Sequence, residues 1–206
     1  MPKSSRLIIV AILFLMSQPA SADVSELQCG KSQCTVEISG QLSRNDVSRL
    51  AAVILEHKST FPRVPLLLFS LDSLGGDIAA AIDMGRIMRA NEAWGFVRLD
   101  RVCASACVLV LAGASTRTTL GDVVIHRPYS TFVGARPTSE IQAERTRLRT
   151  AIRNYLEEVN VSSLLLELMD SVPPERGRLL TKDEIEFFGF NGTDPVLQEK
   201  QDASWA

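Results

Sequence analysis

The sequence is poor in the residues that metal and nucleic-acid sites require. Among 206 residues there are two histidines, and neither stands near Cys103 and Cys107 in the chain to complete a zinc site. The net charge is −2, with 22 basic and 24 acidic side chains, which argues against nucleic acid as a partner. A phosphate-binding loop of the Gly-x-x-x-x-Gly-Lys-Ser/Thr type is also absent from the sequence. We therefore expect no metal, no cofactor and no nucleic-acid partner.

Long apolar runs are also missing, apart from one near the N-terminus. Lys3 and Arg6 precede the apolar stretch 7–16, and Ala20-Ser21-Ala22 fits the small-residue rule for signal-peptide cleavage. The alternative, an uncleaved membrane anchor, needs about 20 apolar residues, and this run is shorter. We expect residues 1–22 to be a cleaved export signal, which predicts a periplasmic or secreted protein without membrane attachment after cleavage.

Four cysteines in an exported chain are candidates for disulfide bonds. Cys29 and Cys34 flank a short turn before a predicted strand, so we expect a disulfide that closes a hairpin. Cys103 and Cys107 flank Ser105 at a predicted strand-to-helix turn, where two interpretations stay open. They form either a disulfide that stiffens the turn, or two buried free thiols that pack as small apolar side chains.

Short apolar strands alternate with amphipathic helices, a pattern typical of an α/β domain. Helices are predicted to begin after capping residues Ser43, Asp77 and Thr181. His57 falls late on the first of these helices, and we expect it to face solvent. The remaining predicted elements are strands at 35–39, 64–71, 96–99 and 123–126 and helices at 106–111, 139–159 and 164–169. The predicted organisation is a signal at 1–22, one domain at 23–190 and a loose polar tail at 191–206.

Three separate segments carry the residue types of an acyl-transfer site. Ser105 lies in a turn of small residues, His126 ends a predicted strand, and Gly75-Gly76 forms a turn upstream. In such a site a serine is the nucleophile, a histidine takes its proton, and backbone N–H groups bind the oxyanion. Each residue also has an ordinary explanation, as a small turn residue, a structural histidine or a plain strand-to-helix turn.

The order of these segments resembles that of the Clp protease proteolytic subunit, in the ClpP/crotonase-like superfamily, over residues 64–189. The cysteines around Ser105 resemble an exported, periplasmic branch of ClpP-like proteins. The resemblance implies repeated β-β-α units and a handle-type helix at 139–159 that joins identical subunits into a homo-oligomer. It also implies that Ser105 is the nucleophile, that His126 is the general base, and that the oxyanion hole is formed by the N–H groups of Gly76 and Ala106.

The resemblance breaks at the third catalytic position. The segment 174–181 resembles the part of the protease that carries the orienting aspartate, but this chain has Gly177 at the matching position. The candidate replacements are Glu175, Asp170, Asp183 or a backbone carbonyl that holds the histidine. Weaker control of the histidine tautomer would lower the rate without abolishing catalysis.

These observations predict an exported ClpP-like serine hydrolase, with peptidase activity that needs neither ATP nor an ATPase partner. Its substrate would be a peptide or a small acyl compound. One alternative is a catalytically decayed crotonase-fold binding or assembly module, which Gly177 favours. A thiol-redox protein that uses Cys103 and Cys107 is less favoured, because three residues separate these cysteines where redox motifs have two.

Overall fold

The computed structural model describes residues 23–61, 66–129 and 137–205, and the predicted export signal lies outside these ranges. Within them the chain is mixed α/β, as the sequence predicts. The strands are β1 (Asp23–Val24), β2 (Gln28–Cys29), β3 (Gln33–Leu42), β4 (Leu66–Gly76), β5 (Trp94–Val97), β6 (Val102–Ala104), β7 (Thr116–Thr119), β8 (Asp122–Ile125), β9 (Arg178–Leu179) and β10 (Gly192–Thr193). The helices are α1 (Arg44–Thr60), α2 (Ile78–Ala90), α3 (Cys107–Gly113), α4 (Thr138–Glu158), α5 (Leu164–Ser171), α6 (Lys182–Phe187) and α7 (Pro195–Trp205). None of these helices combines the length and apolar character that a membrane crossing requires.

Strand β4 is the centre of the sheet because its sequence is apolar on both faces. Leu67, Phe69 and Leu71 are buried in the core, and Leu68 is buried on the opposite face together with the polar Ser70. A continuous apolar run is typical of a parallel strand covered on both sides. Burying each such side chain stabilises the fold by about 1.5–3 kcal/mol. The strand runs on to Gly76, beyond the predicted end at residue 71.

Strand β4 is shared by two groups of strands. Its whole length pairs with β3 in parallel, and its other edge pairs first with β5 and then with β6. Ser73 pairs with Cys103 of β6, and Cys103 pairs with Val123 of β8, again in parallel. The carboxyl ends of β4, β6 and β8 therefore lie side by side.

Helix α3, which follows Ser105, is held by a close helix contact. A Cβ on Gly113 would lie 2.3 Å from the Cα of Gly85 on α2, so only glycines allow this approach. The buried Tyr155 hydroxyl of α4 donates a hydrogen bond of 2.8 Å to the Leu109 carbonyl. Burial raises the pKa of Tyr155, which keeps this donor protonated. Helix α3 is therefore held at Leu109 and at its last residue, Gly113.

Strand β7 lies in residues 115–122, where the sequence predicts neither a strand nor a helix. The run Thr-Arg-Thr-Thr has no alternation of apolar and polar residues, so pattern analysis overlooks it. Neighbouring strands hold it instead, since β7 pairs with β5 in parallel and with β10 in antiparallel. Tertiary pairing here outweighs local sequence preference.

The expectation that His57 faces solvent is also wrong. The side chain is buried, with 8% of its surface exposed. It continues the inner face of α1 formed by Leu50, Val53 and Ile54, which precede it by seven, four and three positions. The helical period of the apolar residues therefore decides where His57 points, although its neighbours Glu56 and Lys58 are charged.

The segment after Asn191 is not the loose tail that its polar composition predicts. Strand β10 pairs with β7, and the Asp194 N–H donates to the Ser115 carbonyl at 2.7 Å. The buried Asp194 carboxylate accepts hydrogen bonds from Arg89 at 2.7 Å and from Asn160 at 3.1 Å. Next to it, the buried Arg117 guanidinium donates to the Gly189, Ala112 and Val159 carbonyls. We call these four side chains, Arg89, Arg117, Asn160 and Asp194, the Arg117–Asp194 network.

Candidate active site

The residues that the sequence singled out converge at the carboxyl ends of β4, β6 and β8. Ser105 directly follows β6, and His126 directly follows β8. Ala104 pairs with Val124, and the Ser105 N–H donates to the Val124 carbonyl at 2.9 Å, which fixes the two segments against each other. Gly75 and Gly76 end the neighbouring strand β4. Parallel pairing thus brings together three parts of the sequence that lie far apart in the chain.

Ser105 occupies a sharp turn between β6 and α3. Its φ is 57°, in the left-handed region that residues with a Cβ rarely adopt. This conformation costs about 1–2 kcal/mol relative to the right-handed one. Ser105 is half-buried. Its hydroxyl has no hydrogen-bond partner within the described ranges. Backbone strain at a polar, unpartnered side chain is typical of functional sites.

Gly75 and Gly76 make different contacts beside this turn. A Cβ on Gly75 would lie 2.7 Å from the Ser105 Cβ and 2.8 Å from the Ala106 nitrogen, so Gly75 is the residue in tight contact with the turn. Its own N–H donates to the Ser73 hydroxyl at 3.0 Å. A Cβ on Gly76 would instead collide with the backbone of Leu42. Among described residues, the Ala106 N–H has no acceptor, which leaves it available to a bound anion.

Among the described residues, the His126 ring is held by a backbone carbonyl and by no carboxylate. Its Nδ1 lies 3.0 Å from the carbonyl oxygen of Arg127, and its ring lies 5.7 Å from the ring of Tyr129 between centroids. A carbonyl only accepts hydrogen bonds, so this contact places the proton of the neutral ring on Nδ1. The Nε2 lone pair is then free to accept a proton. No hydrogen bond joins Ser105 to His126 within the described residues.

In the part of the chain that the structure describes, no hydrogen bond or ion pair joins His126 to a candidate acid. Strand β9 pairs with β8 in antiparallel, with Ile125 opposite Arg178, and Gly177 directly precedes β9. Asp170 forms an ion pair with Arg149 instead. Glu175 and Asp183 are exposed and do not line the cleft described below. Of the replacements that the sequence left open, the backbone carbonyl is the one that contacts His126.

Ser105, His126, Gly75 and Gly76 line one cleft of about 1070 Å³. Its apolar walls include Leu74, Val102, Tyr129 and Leu148, and its polar walls include Asp72, Asp77, Glu144 and Arg44. Several of these polar groups have partners within the protein. Asp72 forms an ion pair with Arg101 at 2.7 Å, and Asp77 caps α2 by accepting a hydrogen bond from the Ala80 N–H. Across the described ranges, no three His, Cys, Asp or Glu side chains cluster as metal ligands would.

Sequence analysis missed the supporting residues of the cleft. Ser73 accepts from Gly75 and donates to the Gly40 carbonyl, so it fixes the end of β4. Tyr129 lies against His126, and its only sequence signal is that it follows the histidine by three positions. The Arg127 carbonyl leaves no signal in the sequence, because every residue has one.

Two cysteine pairs lie at disulfide distance. Cys29 and Cys34 are directly paired across β2 and β3, with a Cα–Cα distance of 4.0 Å. Cys103 and Cys107 bridge the Ser105 turn, with a Cα–Cα distance of 5.2 Å. For the second pair the structure therefore favours the disulfide over two free thiols.

The fold has counterparts among solved structures. The chain is similar to a point mutant of ClpP1 from Listeria monocytogenes, with a TM-score of 0.59 and 18% sequence identity over 76% of this chain and 88% of that chain. The chain therefore has a ClpP-like fold. No family model matches the sequence. No curated protein matches it either.

Proposed function

We propose that the protein is an exported ClpP-like serine hydrolase, with Ser105 as nucleophile and His126 as general base. The observation that carries this proposal is that a strained serine and a histidine line the same cleft beside a glycine pair. Among the described residues, neither the Ser105 hydroxyl nor the His126 Nε2 has a hydrogen-bond partner. A serine hydroxyl needs a neighbouring base to attack an acyl carbon. The fold and the two cysteine pairs are compatible with this assignment.

In the proposed mechanism, the Ser105 Oγ attacks the acyl carbon while His126 Nε2 accepts the hydroxyl proton. The N–H groups of Ala106 and Gly76 would then stabilise the oxyanion. Removing one such donor typically costs about 100- to 1000-fold in rate. His126 returns its proton to the leaving group, and water releases the acyl group from Ser105. The missing hydrogen bond between Ser105 and His126 does not oppose this, since such contacts often tighten only with substrate.

The Arg127 carbonyl takes over part of the task of the missing aspartate. It holds His126 in the tautomer that leaves Nε2 free, which is one role of the acid in a serine triad. It carries no full negative charge, so it stabilises the imidazolium less than a carboxylate would. We therefore expect a working but slow hydrolase.

The substrate class follows from the cleft and the compartment. The cleft volume and its mixed walls suit a short or unfolded peptide, or another small acyl compound. An exported enzyme has no access to cytosolic ATP, so we propose activity without an ATPase partner.

Helix α4 is proposed as the handle that joins identical subunits. Residues 137–143 are exposed, Ile141 by 53%, whereas Ile152, Tyr155 and Leu156 are buried. We expect light scattering to give a mass of more than one chain.

A binding or assembly module without catalysis is the second candidate. Gly177 favours it, because the position that resembles the site of the orienting aspartate carries no carboxylate. Such a module would still bind ligands in the cleft but would not turn over acyl substrates. The two candidates therefore differ in a single measurable property.

Hydrolysis by single and double variants distinguishes them. A panel of short peptide amides and esters is incubated with wild type, Ser105→Ala, His126→Ala and the double variant, with Ser59→Ala on the surface of α1 as control. We expect each single variant to lose nearly all activity and the double variant to lose little more, because the pair acts as a unit. Equal residual turnover in wild type and Ser105→Ala would instead support the binding module.

A further inference from the structure

The Cys103–Cys107 bridge joins the two arms of the Ser105 turn. Cys103 lies in β6, two residues before Ser105, and Cys107 is the first residue of α3, two residues after it. Both cysteines are buried, with 0% and 1% of their surface exposed. The bond therefore connects strand to helix directly beneath the serine.

Strand β6, which leads into this turn, is short. All three of its residues pair with β8, whereas only Cys103 pairs with β4. Beyond the turn, the hydrogen bond from the Ser105 N–H to Val124 and the contact with Gly75 restrain the backbone. The left-handed conformation of Ser105 is unfavourable for a residue with a Cβ, so a looser turn would relax away from it. Such a relaxation would turn the Ser105 Oγ away from its position in the cleft.

We infer that Cys103 and Cys107 are positioning residues for Ser105, and that the chain stays latent as a hydrolase until their disulfide has formed. This inference rests on the proposed function of Ser105. A displacement of about 1 Å at a reacting group can cost about 100-fold in rate. The protein would thus become active only after it reaches an oxidising compartment, where this disulfide can form.

The chemistry of disulfide formation determines at which stage the Cys103–Cys107 bond forms. The disulfide forms by thiol–disulfide exchange: each cysteine loses one proton and one electron, and a disulfide oxidant is reduced to two thiols. In the folded protein both sulfurs are shielded from solvent, so exchange requires the turn to open. The bond is therefore set during folding and then persists, and it is not a rapid switch.

The second disulfide provides a matched control within the same chain. Cys29–Cys34 closes the β2–β3 hairpin, and Cys34 pairs with Leu67 at the beginning of β4. The glycines of the cleft are at the opposite end of β4, about 25–30 Å away at the rise of an extended strand. Neither Cys29 nor Cys34 lines the cleft. Losing this bond should affect stability without reaching Ser105.

The test measures how fast a fluorophosphonate probe labels Ser105 in three proteins that are each exported from the full-length sequence. These are wild type, Cys103→Ala/Cys107→Ala and Cys29→Ala/Cys34→Ala, each checked by circular dichroism and thermal unfolding. We expect the maximal labelling rate of Cys103→Ala/Cys107→Ala to fall about 100-fold with the probe's binding constant unchanged. The rate of Cys29→Ala/Cys34→Ala should stay within about twofold of wild type, even if it melts earlier.

A second measurement uses wild-type protein refolded under a dithiol reductant and then reoxidised. We expect slow labelling while Cys103 and Cys107 are reduced, and recovery as mass mapping shows their bond to form again. Fast labelling of the folded Cys103→Ala/Cys107→Ala variant or of the reduced protein would overturn the inference and leave the proposed function intact. If the Cys103→Ala/Cys107→Ala variant and the reduced wild type both lose their folded structure, the inference is also overturned, because the bond is then needed for folding and not for positioning Ser105. A wild type that is inert to the probe would defeat the proposed function itself.

Discussion

The cleft and the Arg117–Asp194 network both place polar groups in largely apolar surroundings, but they treat them in opposite ways. In the network, the buried guanidinium of Arg117 donates to three carbonyls, and the Asp194 carboxylate accepts from Arg89 and Asn160. In the cleft, the Ser105 hydroxyl and the Ala106 N–H have no partner among the described residues. The network pairs its polar groups apart from the Arg117 Nε, which has no partner in the described part of the chain, whereas the cleft keeps these two polar groups available.

This difference separates stability from activity. A buried polar group that has its partners supports the fold, and removing one partner leaves the others unsatisfied at about 1–3 kcal/mol each. A strained, unpartnered group costs stability, and it persists where it serves a function. Substitutions in the network should therefore lower stability, whereas substitutions in the cleft should lower activity.

The largest expected effect is that of Ser105→Gly on activity. We expect hydrolysis to be lost by at least about 1000-fold, because the nucleophile is gone. Stability should stay equal or rise by up to about 1 kcal/mol, since glycine adopts a φ of 57° without strain. Glu92→Gly is the control: Glu92 has a φ of 48° in an exposed turn, so its replacement should change stability in the same way without affecting activity. A clear loss of stability in Ser105→Gly, measured by urea unfolding, would contradict the comparison.

Arg117→Met should have the largest effect on stability. It leaves the carbonyls of Ala112, Val159 and Gly189 without their donor, and we expect the free energy of unfolding to fall by about 3 kcal/mol. Burial lowers the pKa of Arg117 to about 10, so the wild-type side chain is still charged at neutral pH. Arg98→Met removes the same charge from an exposed site and should stay within about 0.5 kcal/mol of wild type. Denaturant unfolding that gave both variants the same stability would show that the network does not support the fold.

Gly75→Ala should reduce activity by about 100-fold. The added Cβ would lie within 2.8 Å of Ala106 and the φ of 99° is unfavourable for alanine, so the Ser105 turn must shift. Gly30→Ala is the control, because its Cβ would meet the nearest atom at 3.7 Å, an ordinary contact. Steady-state hydrolysis rates of the two variants decide this prediction. Equal rates would place the critical geometry elsewhere than in the contact between Gly75 and Ser105.

The smallest effect concerns the pH dependence of stability at Asp194. Burial acts to raise the pKa of this carboxyl, but hydrogen bonds from Arg89 and Asn160 outweigh it and hold the pKa below its ordinary value. A carboxyl with a lowered folded pKa adds stability above its unfolded pKa and loses it as pH falls through the folded pKa. Wild type should therefore be more stable than Asp194→Asn at pH 7, and this advantage should shrink below about pH 4.

Unfolding titrations from pH 7 to pH 2.5 measure this advantage. Asp202→Asn, which removes the same charge from the exposed part of α7, is the control and should follow wild type throughout. An advantage that stays constant over the whole range would contradict the ionic role of Asp194.

Local patterns predicted the parts of the fold that depend on the sequence alone. The capping residues Ser43, Asp77 and Thr181 do precede helices, and the apolar run of β4 is the buried central strand. Strand β7 could not be predicted this way, because it depends on pairing with strands that are distant in the sequence. The burial of His57, by contrast, could have been read from the helical period.

The candidate site was only partly predictable for a similar reason. Serine, histidine and glycine are visible in a sequence, so Ser105, His126 and Gly76 could be singled out. The Arg127 carbonyl could not, because a backbone group carries no residue-specific signal. The pairing of Cys103 with Cys107 also stayed open, since sequence spacing alone does not fix the distance between two side chains.

Covalent labelling of Ser105 tests the central claim most directly. Wild-type protein is incubated with a fluorophosphonate probe, and the modified residue is identified by peptide mass mapping. The account predicts one label per active chain on Ser105, no label on Ser105→Ala, and labelling of His126→Ala that is slower by at least about 100-fold. Folded wild-type protein that stays unlabelled, or that carries its label on another serine, would contradict the account.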